Sequence, residues 1–265
     1  MTTKDLYELK HALHDLCKSV GAYQMLHLGR RDLIINAKST SVDLVTEVDK
    51  DSEKKIIEFI HNNYPTHSIL AEESGITDKE SDYTWIIDPV DGTTNYAHGY
   101  PLFAISIGLK YLEEMIIGCI YMPALDEFYW SIKGEGAFVN EKQISVSTMP
   151  TLEKSIVATG FPYNKKTSPH NNLDYFSRIC PLLGGVRRSG SACVDLVSLA
   201  CGRIDGYFEM SLNPWDYLPG QLIVREAGGY CEVRYVREQY SIVCTNGRIT
   251  DELRDQIEAV GTEDY

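Results

Sequence analysis

The stretch WIIDPVDGTTNY, Trp85 to Tyr96, runs an apolar β-strand into Asp88, bends it at Pro89, and presents Asp91 ahead of Gly92, Thr93 and Thr94. A strand that only fills a core has no use for two carboxylates at its end, because ionised groups are costly to bury unpaired. Pro89 fixes the backbone between the acids, so the Val90 carbonyl can point the same way as Asp88 and Asp91. Hard divalent cations take such oxygen donors, and Mg2+ commonly combines one or two carboxylates with water and substrate phosphate. The glycine and two threonines that follow read as a helix N-terminus whose N–H groups cradle a phosphate. The same string also reads as an ordinary turn and helix cap, so taken alone it leaves both readings open.

On either side of this stretch the pattern changes once. Leu6, Leu9, Leu13, Leu16 and Val20 recur at steps of three and four and predict a long amphipathic helix. Thr46 and Asp49 have the spacing of a helix start, and Ile56, Ile57 and Ile60 supply a buried stripe until Tyr64 and Pro65. HSILAEES, YTWIIDPV, FAISIGLKY, EEMIIGCIYMP and DEFYWSIKGEGAFVN then predict consecutive strands in a largely antiparallel sheet. Strands and helices alternate from about residue 146, with SIVATGF, IDGYFEM and SIVCTN as strands. The helices there are PHNNLDYFSRICPLLGG, SACVDLVSLACGRID, WDYLPGQLIVREAGG and TDELRDQIEAV. The expected fold class is thus a layered α+β and α/β sandwich. Residues 1–145 form an α+β subdomain and 146–265 an α/β subdomain, packed as one body.

Composition narrows the function. Lys and Arg number 25 against 38 Asp and Glu, a formal net charge of −13. That excess repels a phosphate backbone, so no nucleic-acid partner is expected. The seven cysteines are scattered without a Cys-x-x-Cys pair, the usage of a reducing compartment rather than of a disulfide framework. The charged start MTTKDLYELKHALHD shows no secretory apolar region, and no apolar run approaches the ~18 residues of a membrane span. A soluble cytoplasmic protein with no membrane partner is the expectation.

Further acids stand at Asp49 near a helix start, at Glu72 and Glu73 closing SILAEES, and at Asp216 after Trp215. In layered α/β folds such strand ends and helix starts gather on one edge, where ligands bind. If AEES is extended, Glu72 and Glu73 face opposite ways and only one joins the site.

AEES, WIIDPVDGTTNY and WDYLPGQLIVREAGG, in this order and spacing, resemble the inositol monophosphatase family. GEGAFVN and GSACVDLVSLACGRIDGYFE resemble further family segments, so the likeness covers nearly the whole chain. It implies a sugar-phosphatase fold of αβαβα layers and Mg2+-dependent hydrolysis of a phosphate monoester, commonly inhibited by Li+, with Mn2+ as an alternative ion. On this resemblance Glu72, Asp88 and the carbonyl of Val90 hold one metal, and Asp88, Asp91 and Asp216 hold a second. Glu72 also faces a loosely held third. Thr93, paired with Asp49, matches the positions that orient and deprotonate the attacking water, and Lys38 matches a lysine of the mobile catalytic loop. Asp91, Gly190, Ser191, Ala192, Glu209 and Asp216 match positions that contact substrate hydroxyls, and Gly92 and Thr93 complete the substrate set at the phosphate. A homodimer is implied as well.

The chemistry needs such a set. Monoester hydrolysis is among the slowest uncatalysed biological reactions, and attack on an anion requires cations to neutralise developing charge. The expected substrate is a small polyol phosphate, inositol monophosphate first. The 2'-phosphate of NADP, fructose 1,6-bisphosphate and 3'-phosphoadenosine 5'-phosphate remain alternatives, as does a non-catalytic metal-binding scaffold. Glu209 favours a hydroxyl-rich ligand, since a carboxylate accepts their hydrogen bonds and repels a second phosphate. Tyr217 is read at the substrate mouth and Pro219 in the first turn of its helix. Arg187 and Arg188 read as an anion or subunit contact, or as solvated surface.

Overall fold

The computed structural model describes residues 1–38, 43–168, 171–236 and 239–262. Helix α1 (Thr3–His27) starts on a capping box between Thr2 and Asp5 and buries Leu6, Leu9, Leu13 and Val20 on one face. The short hairpin β1 (Ile35–Ala37) and β2 (Leu44–Thr46) leads to α2 (Glu47–Asn63), where Thr46 and Asp49 form a second capping box. The rest of the loop that carries Lys38, residues 39–42, lies outside the described residues.

Next come β3 (Ser68–Ala71), β4 (Gly75–Thr77), β5 (Tyr83–Asp91), α3 (Thr93–Ala97) and β6 (Ala104–Tyr111). The strands β7 (Glu114–Met122), β8 (Glu127–Ile132), β9 (Ala137–Val139) and β10 (Lys142–Ile144) finish an eight-stranded sheet in the order β10-β9-β8-β7-β6-β5-β3-β4. Every pairing in it is antiparallel except β3 with β5.

The second half contains β11 (Ile156–Thr159), α4 (Leu173–Ile179), β12 (Gly185–Arg187), α5 (Ala192–Ala200) and β13 (Gly206–Leu212). Then follow α6 (Pro214–Glu226), β14 (Tyr230–Val236), β15 (Gln239–Thr245) and α7 (Thr250–Thr262). Its five-stranded sheet runs β12-β11-β13-β15-β14, parallel across β12, β11 and β13 and antiparallel beyond. The strands β12 and β14 are additions to the sequence reading: one is three residues long, and the other starts directly behind a helix's glycine stop. Helix α4 begins later than expected, and the first residues of its predicted span, Pro169 and His170, lie outside the described residues.

Five layers result. Helices α1 and α2 cover one face of the large sheet around Trp85, Ile107 and Cys119. Helices α5 and α6 fill the space between the sheets, where Leu196 and Ile223 meet Ile120, Tyr129 and Tyr207. Helix α7 packs on the outer face of the small sheet through Leu253 and Ile257, with Ile179 of α4 in the same cluster. Each helix is apolar where it meets a sheet, and the central pair is apolar on both sides because sheets flank it.

Two expectations are corrected here. Pro219 lies in the interior of α6 rather than its first turn, because the helix already starts at Pro214. Its missing N–H would have met the carbonyl of Trp215, which instead accepts from Ser106 Oγ at 3.4 Å. Cys231 and Cys244 form a disulfide, since the β14–β15 register sets them directly opposite with Cα atoms 4.2 Å apart. Nothing in their spacing along the chain announces that pairing. Among the described residues no helix is long and apolar enough to cross a membrane.

Candidate active site

Topology brings the acids together. Strands β3 and β5 are parallel with Ala71 opposite Ile87, so Glu72 leaves β3 beside Asp88, its N–H donating to the Ile87 carbonyl at 3.1 Å. The β5–β6 register then slips: Asp88 faces Ser106 while Asp91 faces Ala104, so three steps on β5 match two on β6. One extra residue inverts the strand's alternation, which turns Asp91 to the side Asp88 already faces. Asp216 arrives from the other half, at the third position of α6, where its Oδ2 accepts from the Asn213 N–H at 2.7 Å. Asp91 is clamped to the start of α5, its Oδ2 accepting from Ser191 Oγ and from the Cys193 N–H, both at 2.6 Å.

Between these elements lies a cleft with about 750 Å³ of empty space, part of it open to solvent. It is lined by all the site residues predicted from the sequence except Lys38 and Asp49. Asp49 sits behind the wall, fully buried, and reaches the cleft through Thr93, whose Oγ1 lies 2.8 Å from Asp49 Oδ1 and 3.1 Å from the Val90 carbonyl. The second oxygen of Asp49 accepts from the N–H and hydroxyl of Thr46. Gly92 must be glycine: its φ is +99°, and a Cβ there would stand 3.1 Å from the Leu102 carbonyl. Helix α3 has only five residues, so it offers a phosphate its first N–H groups rather than a long helix's dipole.

Lys38 lies outside the cleft lining and bonds Glu72 at 2.8 Å and Glu73 at 2.5 Å. Burial works to lower its pKa, but the two glutamates outweigh that and hold the ammonium above its ordinary value. The segment is not extended, because the chain turns directly after Ala71, yet of the pair only Glu72 lines the cleft, as expected. Burial pushes Glu73 up to about 7, with the Lys38 contact opposing it.

The carboxylates repel one another. Asp88 is raised well above the ordinary range by burial, then by Glu72, Asp91 and Asp216. Burial likewise raises Asp216, with Asp91 and Glu72 adding to it. Asp91 and Asp49 are raised by burial too, although hydrogen bonds from Ser191 and from Thr46, respectively, pull the other way. Hard oxygens in excess of nearby cations, with the Val90 carbonyl among them, fit a hard divalent cation. Among the described residues no three such side chains already surround one point, so the ligand set is juxtaposed rather than closed.

The other end of the cleft carries Glu209, which accepts from Tyr207 OH at 2.6 Å. Burial drives its carboxyl up to about 7, against the hydrogen bond from Tyr207 and the charge of Arg188. Gly160 makes room for it, since a Cβ there would stand 2.1 Å from Glu209 Oε2. Both arginines are exposed, but only Arg188 lines the cleft, while Arg187 donates to the Val186 carbonyl. Asp195, Phe161 and Tyr163 also line it and were not foreseen. Asp195 falls one helical turn after Ser191, a spacing that could have flagged it, but the loop ATGFPYN carries no chemical signature. Tyr217 is corrected: it is buried in the core between the sheets, with its ring near Tyr240, and does not line the cleft.

Alternating helix and sheet layers around an acid-lined cleft define a sugar-phosphatase type of fold. Residues 5–260 match the model of the inositol monophosphatase family. An inositol-1-monophosphatase of Synechocystis sp. is 43% identical over 230 residues, covering 85% of this chain and 80% of that protein. The Nus factor SuhB of Haemophilus influenzae is 40% identical over 234 residues, 86% of this chain and 87% of its own. The solved inositol monophosphatase of Anabaena (Nostoc) sp. is 38% identical, with a TM-score of 0.82 over 94% of this chain and 96% of that one. The chain belongs to the inositol monophosphatase family and is a phosphatase.

Proposed function

We propose that this protein hydrolyses a small polyol phosphate monoester, myo-inositol monophosphate first, with Mg2+ held by Glu72, Asp88, Asp91, Asp216 and the Val90 carbonyl. The observation that carries the reading is the cleft-lining Thr93 hydroxyl, 2.8 Å from the buried Asp49 Oδ1 and 3.1 Å from the Val90 carbonyl, set beside those four acids. The capping of α2 by Asp49 needs only Thr46, so a scaffold that only bound metal would have no use for the cleft-lining hydroxyl aimed at its other oxygen.

When bound, divalent cations would polarise the phosphate, lower the pKa of the attacking water and stabilise the leaving alkoxide. Thr93 Oγ1 accepts the water's proton while passing its own to Asp49 Oδ1. N–H groups at Gly92 and Thr93 hold the phosphate, and Asp91 and Asp216 contribute on its polyol side with the backbone of Gly190, Ser191 and Ala192. The Ser191 hydroxyl donates to Asp91 and accepts from the Val194 N–H, while its own N–H donates to Ser189 Oγ, so the residue is held rigidly at the cleft wall. Lys38 screens Glu72 until the charged substrate and its cations arrive.

Ionised Glu209 accepts hydrogen bonds from substrate hydroxyls at both oxygens, whereas protonation turns one of them into a donor. KM for a polyol phosphate is therefore expected to fall between pH 6 and pH 8 as Glu209 loses its proton near 7. Glu209→Gln should flatten that pH dependence, and a Glu209→Gln profile parallel to wild type would remove the assignment.

Phosphate release from inositol 1-phosphate, NADP, fructose 1,6-bisphosphate and 3'-phosphoadenosine 5'-phosphate, with Mg2+ and with EDTA, tests the proposal. Release that depends on Mg2+ and is fastest from inositol 1-phosphate supports it. Preference for another member reassigns the substrate within the family. Silence across the panel from protein that binds Mg2+ turns weight to a regulatory role, for which the similarity to a Nus factor is the motivating observation.

A further inference from the structure

Helix α1 lends no side chain to the cleft, yet its buried face contains a glutamine. Gln24 is 0% exposed. Its Nε2 donates to the Pro89 carbonyl at 2.8 Å and to Ser52 Oγ at 3.2 Å, while its own backbone carbonyl accepts from Tyr96 OH at 2.6 Å. Its Oε1 is buried with no hydrogen-bond partner among the described residues. An amide buried with one end unsatisfied costs stability that an apolar residue of the same volume would not. Local conflicts of this kind are expected where function requires them.

The bulge in β5 gives the requirement. Between Asp88 and Asp91 the strand loses its register with β6, so the peptide groups of Pro89 and Val90 need other partners. The Pro89 carbonyl finds Gln24, and the Val90 carbonyl finds Thr93. The Pro89 carbonyl is thus held on the α1 side, while the next carbonyl, that of Val90, meets the hydroxyl of Thr93, and both Val90 and Thr93 line the cleft.

We propose that Gln24 is a positioning residue for the metal-binding turn: it anchors the Pro89 carbonyl so that the Val90 carbonyl and the acids of Asp88 and Asp91 stay presented to the cleft. Through Ser52, three residues beyond Asp49 on α2, the same amide ties that turn to the helix that carries the proton acceptor. The inference rests on the metal-binding reading proposed above. It adds a residue that touches neither metal nor substrate.

Gln24→Met keeps the volume and removes the donor. Calorimetric titration of the metal-free protein with Mg2+ is expected to show about tenfold weaker binding than wild type, a typical loss when a group supporting a metal ligand is removed. Phosphate release should need correspondingly more Mg2+, with KM for the monoester unchanged once Mg2+ saturates. A merely structural glutamine would move the melting temperature and leave Mg2+ affinity where it was. Folded Gln24→Met that binds Mg2+ as tightly as wild type overturns the inference. If Gln24→Met does not fold, Gln24→Leu, which equally lacks the donor, takes its place; weakened Mg2+ binding there supports the proposal and wild-type binding overturns it. Failure of the wild-type protein itself to bind Mg2+ would overturn the metal reading and this inference with it, and the wild-type titration tells that case apart.

Discussion

Asp88→Asn is expected to slow phosphate release about 10³-fold at saturating Mg2+, the scale seen when a preorganised electrostatic contact to the transition state is lost. Asp88 stands at the centre of the acid cluster: Glu72 flanks it across the parallel β3–β5 pair, Asp91 follows over the bulge, and Asp216 approaches from α6. All three of these acids raise it, so its charge is the one the cluster most resists without a cation. The fold should not suffer. The folded carboxyl keeps its proton to higher pH than the unfolded one, so the metal-free fold loses stability as pH rises above the ordinary carboxylate value. Asparagine carries no such charge, and metal-free Asp88→Asn should melt at or above wild type at neutral pH. Circular dichroism, a melting curve and a phosphate-release assay decide the matter. Near-normal turnover in a folded variant would sink the assignment of this cleft.

Thr93→Ala should separate binding from chemistry. Removing the hydroxyl breaks the path from water to Asp49 but deletes no carboxylate, so turnover should fall by roughly 10²–10³, as for loss of a positioned acid–base group, while Mg2+ binding by calorimetry persists. The same change strips Asp49 Oδ1 of its partner, leaving the carboxylate held by Thr46 alone. Some loss of stability is therefore expected alongside. If turnover survives in Thr93→Ala, the proton has another route and the Asp49–Thr93 pair is structural.

Much of this site was legible in the chain. The acids of WIIDPVDGTTNY, the second glutamate-rich strand end and the Trp-Asp helix start were readable because each is a local pattern, a charge placed where an element begins or ends. The capping box at Thr46 and Asp49 was equally local, and it is present. Errors came where a local rule met a distant partner. Tyr217 sits next to Asp216 in sequence, but on a helix the next residue turns through about 100°, and that turn takes it into the core rather than the cleft. Glu73 stays out of the cleft lining as expected, but by the turn after Ala71 rather than by strand alternation.

The sequence by itself determined the layered class, the antiparallel first sheet and the residues with chemistry to offer, because hydrophobic period and capping are properties of neighbours along the chain. Only the tertiary structure decided which of those residues share a cleft. The one-residue slip between β5 and β6 brings Asp91 round beside Asp88, and the register of β14 with β15 pairs Cys231 with Cys244. Gln24 carries no motif, and its bond to the Pro89 carbonyl spans 65 positions of the chain. Such contacts arise from how strands and helices stack, and that is fixed by the packing of the whole core rather than by any stretch of residues.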